Sequence, residues 1–318
     1  MSAAPPQSGE PADAAKNRRD STSSCGASTY TVQEKTGHGE TFLTIIGRSE
    51  QPNRELTCIT MSAAESMALI FPNWVRICYR RGPVEYQPYD MNMPPRLIPR
   101  KPLHYKFDPP LTERGQIMAE TYGRSLAASD VKPFEIYCAP DMKSVQTAAY
   151  LYKGLGVSYT TINIEPALMP YRQLLPANYQ EMLLSPKVFF GHGYPINTQY
   201  VPYQGFFGSE TIDDFSTRVL NFYKDRIVKI EQKHVIVIAD ASVVEMTNNS
   251  HIDTVDDIFK CTRKPTCQMS AIWIKQGEAT LFEPPVLPFT RSLYASKPQY
   301  WQEVPAKLSA PNHPDIVT

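Results

Sequence analysis

The sequence predicts an α/β fold in which a mostly parallel sheet is flanked by helices on both faces. Apolar runs of β-type residues are separated by longer stretches of helical periodicity. This alternation is typical of parallel strands that are connected through helices. One run is apolar at nearly every position, as expected for a strand buried on both sides. The runs lie at 74–79, 134–138, 159–164, 234–239 and 271–275.

Three of the intervening helices can be placed from their ends. Thr112 is a suitable N-cap for a helix that continues to about Ala128. A second helix covers 144–153 and stops at the glycines that follow it. Thr211 and Asp214 have the spacing of a capping box and open a third helix. We interpret the apolar stripes of these helices as surfaces that face the core.

Composition limits the class of protein. The 318 residues include 32 basic and 32 acidic ones, so the formal net charge is zero and no overall field favours nucleic acid or a membrane surface. No run reaches the roughly 18 apolar residues of a membrane span, and the first residues lack the layout of a signal peptide. We therefore expect a cytoplasmic protein that uses no nucleic acid, no membrane and no cofactor. The six cysteines are expected to be free thiols, and the Cys261/Cys267 spacing does not fit a zinc site.

The domain organisation follows from shifts in composition. Residues 1–40 are rich in small, polar and charged residues and are predicted to be disordered. Residues 41–73 form an uncertain lead-in without a motif. The regular pattern of a folded domain covers 74–302, and the tail 303–318 is again predicted to be disordered.

The most conspicuous polar feature follows the run 74–79. Arg80 and Arg81 come directly after it, and Gly82 then allows the chain to turn. An α/β sheet presents charged groups to ligands at the carboxyl ends of its strands. The stretch therefore predicts an anion site at the end of a strand.

Several blocks of the sequence stand in a distinctive order and spacing. The four main blocks are Arg80-Arg81-Gly82, Asp108-Pro109-Pro110-Leu111-Thr112, Pro140–Ala148 and Val237–Ser242. Together they resemble the histidine phosphatase, or phosphoglycerate-mutase-like, superfamily. Three further blocks, Glu165–Leu168, Gly193–Asn197 and Glu283–Pro288, are similar to the branch that contains suppressors of T-cell-receptor signalling and insect ecdysteroid-phosphate phosphatases. The resemblance covers about 74–302 and implies the superfamily's α/β fold.

The resemblance also implies a set of site residues. The first block of the family is Arg-His-Gly, whose histidine attacks phosphorus; here the arginine corresponds to Arg80 and the nucleophile position to Arg81. A guanidinium has no lone pair to offer, so Arg81 can hold a phosphate but cannot attack one. The second phosphate-binding arginine corresponds to Lys143, the acid to Glu165, and the second histidine to Asp240. Because the family's two histidines face each other, we expect Arg81 and Asp240 to form a partly buried ion pair in the vacated site.

These substitutions favour a catalytically inactive pseudophosphatase that acts as a protein-binding, scaffold or regulatory domain, with homodimerisation as a further expectation. Two irregular stretches, 84–110 and 168–208, are the expected surfaces for a protein partner. One alternative is an active phosphomonoesterase, for protein tyrosine or small-molecule phosphates, with altered catalytic machinery. Another is a sensor that binds a phosphorylated ligand weakly without hydrolysing it, since the expected pocket has three cations against two carboxylates.

Overall fold

The computed structural model describes residues 28–32, 43–48, 56–83, 85–203, 205, 208–230, 234–248, 252–275, 278–282 and 284–286. The strands are β1 (Ser28–Val32), β2 (Leu43–Arg48), β3 (Leu56–Ser62), β4 (Pro133–Cys138), β5 (Ile162–Ile164), β6 (His234–Ala239), β7 (Met269–Lys275) and β8 (Glu278–Phe282). The helices are α1 (Met67–Ile70), α2 (Trp74–Cys78), α3 (Pro102–Phe107), α4 (Glu113–Ala128), α5 (Met142–Leu155), α6 (Tyr179–Met182), α7 (Pro186–Gly191), α8 (Ile212–Phe222), α9 (Ala241–Thr247) and α10 (Val255–Thr262).

The described strands form one sheet in the order β2-β1-β8-β7-β3-β6-β4-β5. Strands β3, β6, β4 and β5 are parallel to one another, as expected for an α/β fold. Strands β7, β8, β1 and β2 extend the sheet with antiparallel pairs, so the predicted run 271–275 is a strand but lies antiparallel to its neighbour β3. The sheet is therefore mixed, with its parallel half on one side of β3.

Helices cover both faces of the parallel half. In β6, Ile236 and Ile238 belong to one core and Val235 and Val237 to the other, because successive side chains of a strand point to opposite faces. Helices α4 and α5 pack on the first face, and α8 packs on the second. The predicted start of α4 is confirmed, since the Thr112 side chain accepts a hydrogen bond from the Gly115 N–H, and the capping box at the start of α8 is present.

The prediction of a strand at 74–79 is wrong. Residues Trp74–Cys78 form helix α2, and residues 79–81 turn away from it. Trp74 and Cys78 are buried, and Arg76 between them is exposed. Buried residues at positions i and i+4 describe one side of a helix, and a short apolar run does not distinguish this pattern from a strand.

The predicted domain boundaries also change. Strand β1 lies inside the segment 1–40 that was predicted to be disordered, so that prediction is wrong for Ser28–Val32. Strand β3 lies in the lead-in 41–73 and occupies the centre of the sheet between β6 and β7, so the domain begins well before residue 74. The rest of the segment 1–40 and the tail 303–318 lie outside the described residues.

Candidate functional site

A pocket of about 140 Å³ opens where β3 and β6 end and α5 begins. We call it the strand-end pocket. Its walls include Ser62 at the end of β3, Ala63 and Ala64 after it, Lys143 in the first turn of α5, and Asp240 after β6. Carboxyl ends of parallel strands are where α/β sheets bind their ligands. A larger cavity of about 420 Å³ lies between α5 and the turn after α7, but none of the residues predicted for the site lines it.

Small residues line the side of the pocket that follows β3. Strands β3 and β6 are in register so that Ser62 pairs with Ala239, which places Ala63 beside Asp240. The Ala64 N–H donates to Thr147 Oγ1 at 2.9 Å, and Ser62 Oγ accepts from the Gln268 N–H at 2.9 Å. No imidazole is among the residues that line the pocket in the described part of the chain.

Lys143 provides the cation of the pocket. Its Nζ lies 3.8 Å from Asp240 Oδ2, and its side chain is about one third exposed. Burial lowers the pKa of Lys143, but the carboxylates of Asp141, Asp240 and Asp108 outweigh this effect and raise the pKa overall. The ammonium is therefore charged at neutral pH, and its nearest partner is an anion supplied by the protein.

Asp240 has a structural role in addition to that ion pair. It is the N-cap of α9, where Oδ1 accepts hydrogen bonds from the Ser242 N–H at 3.0 Å and from Ser242 Oγ at 2.7 Å. Asp is among the preferred N-cap residues because its short carboxylate reaches the free N–H groups of the first turn. Both carboxylate oxygens of Asp240 are thus directed at protein groups.

Glu165 is present after β5 but does not line the strand-end pocket. Its side chain is fully buried, and Oε1 accepts a hydrogen bond from the Ala167 N–H at 2.8 Å. Oε2 accepts from the Tyr200 hydroxyl at 2.6 Å and from the Tyr203 N–H at 2.7 Å. Charge-assisted bonds of this kind hold the segment 200–203 over the carboxylate.

Arg80 and Arg81 lie elsewhere. Both side chains are exposed in the turn after α2, and neither lines the strand-end pocket. The predicted ion pair between Arg81 and Asp240 is wrong, because Asp240 pairs with Lys143. The underlying cause is the helical conformation of Trp74–Cys78, which removes the arginines from any strand end. The structure thus brings together Lys143 and Asp240, whereas Glu165 is buried directly after β5 and does not line the pocket.

Sequence reasoning missed the residues behind the pocket. Asp108 is fully buried; its Oδ1 accepts from the Met142 N–H at 2.6 Å, and its Oδ2 accepts from Arg100 at 2.7 Å. Burial raises the pKa of Asp108 to about 6, although Arg100 opposes the shift. Asp141, the buried N-cap of α5, also has a raised pKa because of burial. The Asp-Pro-Pro block signalled Asp108, but Arg100 has no local pattern that reveals its role.

The small residues Ser62, Ala63 and Ala64 were also missed. The signal was present, since residues 56–61 contain only apolar residues and threonines, three of them β-branched, and the small residues follow directly. Among the described residues, no group of three or more His, Cys, Asp or Glu side chains could hold a metal ion. In the same part of the chain, no helix has both the length and the apolar character needed to cross a bilayer.

A family model, the histidine phosphatase superfamily (branch 1), matches residues 100–283. The chain belongs to this superfamily. The matched region contains Lys143, Glu165 and Asp240, and it begins after both Ala63 and Arg81. The family's phosphoglycerate-mutase-like fold agrees with the parallel half of the sheet and its two helical layers.

Two curated relatives are similar over most of the chain. Human ubiquitin-associated and SH3 domain-containing protein B is 26% identical over 284 residues, which cover 81% of this chain and 43% of the relative. The ecdysteroid-phosphate phosphatase of Drosophila melanogaster is 24% identical over 258 residues, which cover 77% of this chain and 34% of the relative. The chain therefore spans less than half of the length of either relative.

A solved structure supports the fold. The crystal structure of the ecdysone phosphate phosphatase from Bombyx mori, in complex with tungstate, aligns with a TM-score of 0.60 and 21% sequence identity. The alignment covers 74% of this chain and 94% of that one. At this level of identity the similarity establishes the architecture and leaves the activity to be argued from the site.

Proposed function

We propose that this chain is a non-catalytic member of the histidine phosphatase superfamily and that it works as a protein-binding domain. The observation that supports the proposal most directly is that Ala63, which has no reactive group, follows the central strand β3. The family's first block stands at the end of a strand beside the second histidine position. In this chain that place belongs to Ser62, Ala63 and Ala64, because β3 ends in register with β6 beside Asp240.

This assignment puts Ala63 at the position of the nucleophile. A methyl group cannot attack phosphorus, and Ser62 replaces the arginine that would hold the phosphoryl oxygens. Among the described residues that line the pocket, the remaining hydroxyl groups have no neighbouring imidazole that would accept their proton. On this assignment, the chain lacks the nucleophile that the family's reaction needs and part of the site that would hold the phosphate.

The retained positions are occupied by internal contacts. The Lys143 ammonium is paired with Asp240, so an entering phosphate would meet a carboxylate beside its cation. Glu165 accepts hydrogen bonds from Tyr200 and Tyr203 in the segment 200–203 and from the Ala167 N–H. A carboxylate held in this way anchors the segment 200–203, and it does not line the strand-end pocket.

The proposal is tested by incubating the purified full chain with p-nitrophenyl phosphate. We expect no hydrolysis above the buffer rate, and no change in Lys143→Met. Turnover by the native chain that Lys143→Met abolishes, but that Arg81→Gln leaves intact, would overturn the proposal.

A second comparison tests the assignment of the nucleophile position. The variant Ser62→Arg, Ala63→His, Ala64→Gly, Asp240→His restores the family's first block and second histidine at the strand-end pocket, where Lys143 keeps the second cation, and we expect it to gain measurable turnover. The matched control, Arg81→His with Asp240→His, places its new imidazole on an exposed turn and should remain inactive. Activity in the control alone would show that the first block is located at Arg81 after all.

A further inference from the structure

The segment 74–107 is strongly basic, although the chain as a whole is neutral. We call this segment, with helices α2 and α3 and the connection between them, the basic lobe. It contains seven arginines and lysines against two carboxylates, Glu85 and Asp90, a net charge of +5. The seven cations are Arg76, Arg80, Arg81, Arg96, Arg100, Lys101 and Lys106.

Six of these seven cations face solvent. Only Arg100 is buried, where it pairs with Asp108. The other six are exposed, and none of them forms an ion pair with another residue in the part of the chain that the structure describes. By contrast, Lys143, Lys153 and Arg218 elsewhere in the chain each have a carboxylate partner. Within the described residues, the basic lobe therefore has charge that no carboxylate neutralises through an ion pair.

A column of aromatic rings holds the lobe together. The rings of Tyr79 and Tyr105 stack at 6.2 Å, Tyr86 lies 5.8 Å from Tyr79, and Trp74 lies 5.8 Å from Tyr105. The Arg100 guanidinium lies 4.3 Å above the Tyr105 ring and joins the column to Asp108. Tyr79 and Tyr86 flank the stretch that carries Arg80 and Arg81, so their ring contact ties the two ends of this stretch together.

Large apolar side chains are exposed in the same segment. Met91 is 98% exposed, Leu103 is 58% exposed and Tyr89 is 49% exposed. Arg, Tyr and Met are enriched in protein–protein interfaces, whereas Lys is depleted there. Four of the six exposed cations are arginines, whose planar guanidinium groups match carboxylates in two-pronged contacts. This composition favours a protein partner over a lipid surface.

We propose that the basic lobe binds an acidic segment of a partner protein, with Arg76, Arg80 and Arg81 at the centre of the contact. The unpaired positive charge selects carboxylates, and the exposed Met91 and Leu103 select apolar residues interspersed among them. The inference rests on the proposed role as a protein-binding domain, but it concerns a surface separate from the strand-end pocket. If the basic lobe bound no acidic segment, the conclusion on catalysis would be unaffected, because that conclusion is tested by turnover.

The test is fluorescence anisotropy of the full chain with a labelled peptide rich in Asp and Glu and containing interspersed leucines. We expect saturable binding that weakens as NaCl rises from about 0.05 M to about 0.3 M, because exposed charges are screened over this range. The triple variant Arg76→Gln, Arg80→Gln, Arg81→Gln should bind roughly tenfold more weakly, since three exposed ion pairs are lost.

The matched control is Lys187→Gln, Lys229→Gln, Arg263→Gln, which removes three exposed cations outside the lobe. It should bind the peptide as the native chain does. An equal loss of peptide affinity in both triple variants would show that binding depends only on the overall charge of the protein, and it would overturn the proposal. Absence of peptide binding, or binding only to phosphatidylcholine vesicles with about one third phosphatidylserine, would also overturn it, the latter in favour of a lipid surface.

Discussion

At the scale of single residues, Asp108 is the group on which the N-terminal end of α5 depends. It joins Arg100 to the Met142 N–H, and Met142 immediately precedes Lys143 in the wall of the strand-end pocket. Arg100 also donates to the Met182 carbonyl oxygen at 3.1 Å, so the same cluster holds helix α6. A fully buried carboxylate thereby fixes three separate segments around the pocket.

We predict that Asp108 makes stability depend on pH in an unusual direction. Burial raises its pKa from 3.8 to about 6 in the folded chain, so the folded state binds more protons than the unfolded state between these values. Its contribution to stability is therefore present at low pH and is lost as pH rises through about 6. The difference in unfolding free energy between the native chain and Asp108→Asn should shrink by about 2–3 kcal/mol from about pH 4 to about pH 7.

Urea unfolding at several pH values across this window would measure the difference. Asp253→Asn, which changes an exposed carboxylate, serves as the control and should follow the native chain throughout. Parallel stability curves for the native chain and Asp108→Asn would show that Asp108 does not titrate in this range.

At the scale of elements, α5 carries Lys143 in its first turn and packs closely against α4 near its other end. This contact fixes the helix that presents Lys143 to the pocket. Gly123 on α4 lies against the Leu151 carbonyl oxygen, and Gly154 on α5 lies against the Glu120 carbonyl oxygen. A Cβ atom at either glycine would overlap backbone atoms of the opposite helix. The two helices can therefore lie this close only because neither has a side chain at the crossing.

Gly123→Ala is predicted to destabilise the fold by about 1–3 kcal/mol, because the added methyl group forces two backbones apart. The gain in helix propensity, roughly 1 kcal/mol, is too small to compensate for displacement of main-chain atoms. Thermal and urea unfolding would measure the loss. The control is Gly191→Ala at the end of α7, where the added Cβ would meet open space and stability should change by less than about 0.5 kcal/mol. Similar unfolding of both variants would contradict the proposed contact.

Most elements near the site could be predicted because their sequence patterns are local. The cap at Thr112, the capping box at Thr211 and the apolar run of β6 each specify an element without distant information. Helix α2 could not be predicted, because five apolar-rich residues fit a strand and a helix equally well. Only the pairing of β3 with β6 and β7 shows which strand occupies the centre, and that pairing joins residues far apart in sequence.

The candidate site shows the same limit. Lys143 and Asp240 belong to blocks with distinctive local sequences, and the structure places both in the strand-end pocket. Arg80 and Arg81 match the local pattern of an anion site, which is two adjacent cations before a glycine. Their actual position depends on the conformation of the preceding five residues. Ala63 offers no polar group to attract attention, so the loss of a functional group is the feature that sequence reasoning detects least well.

At the scale of the whole molecule, β3 connects the parallel and antiparallel halves of the sheet. It pairs with β6 through residues 57–62 and with β7 through residues 56–61. Cys58, Ile59 and Met61 are fully buried, and they face both cores of the protein. Removal of this strand would leave two unpaired strand edges in the interior and expose apolar surface on both faces of the sheet.

We therefore predict that a chain lacking residues 1–73 does not fold, even though the apolar pattern of the sequence becomes regular only at residue 74. The control is a chain lacking residues 1–27, which retains every described strand and should unfold cooperatively at nearly the same urea concentration as the full chain. Circular dichroism and urea titration of both truncated chains would make the comparison. Cooperative unfolding of the chain that begins at residue 74 would show that β6 and β7 can close the sheet without β3, and would exclude β3 as the strand that positions the pocket.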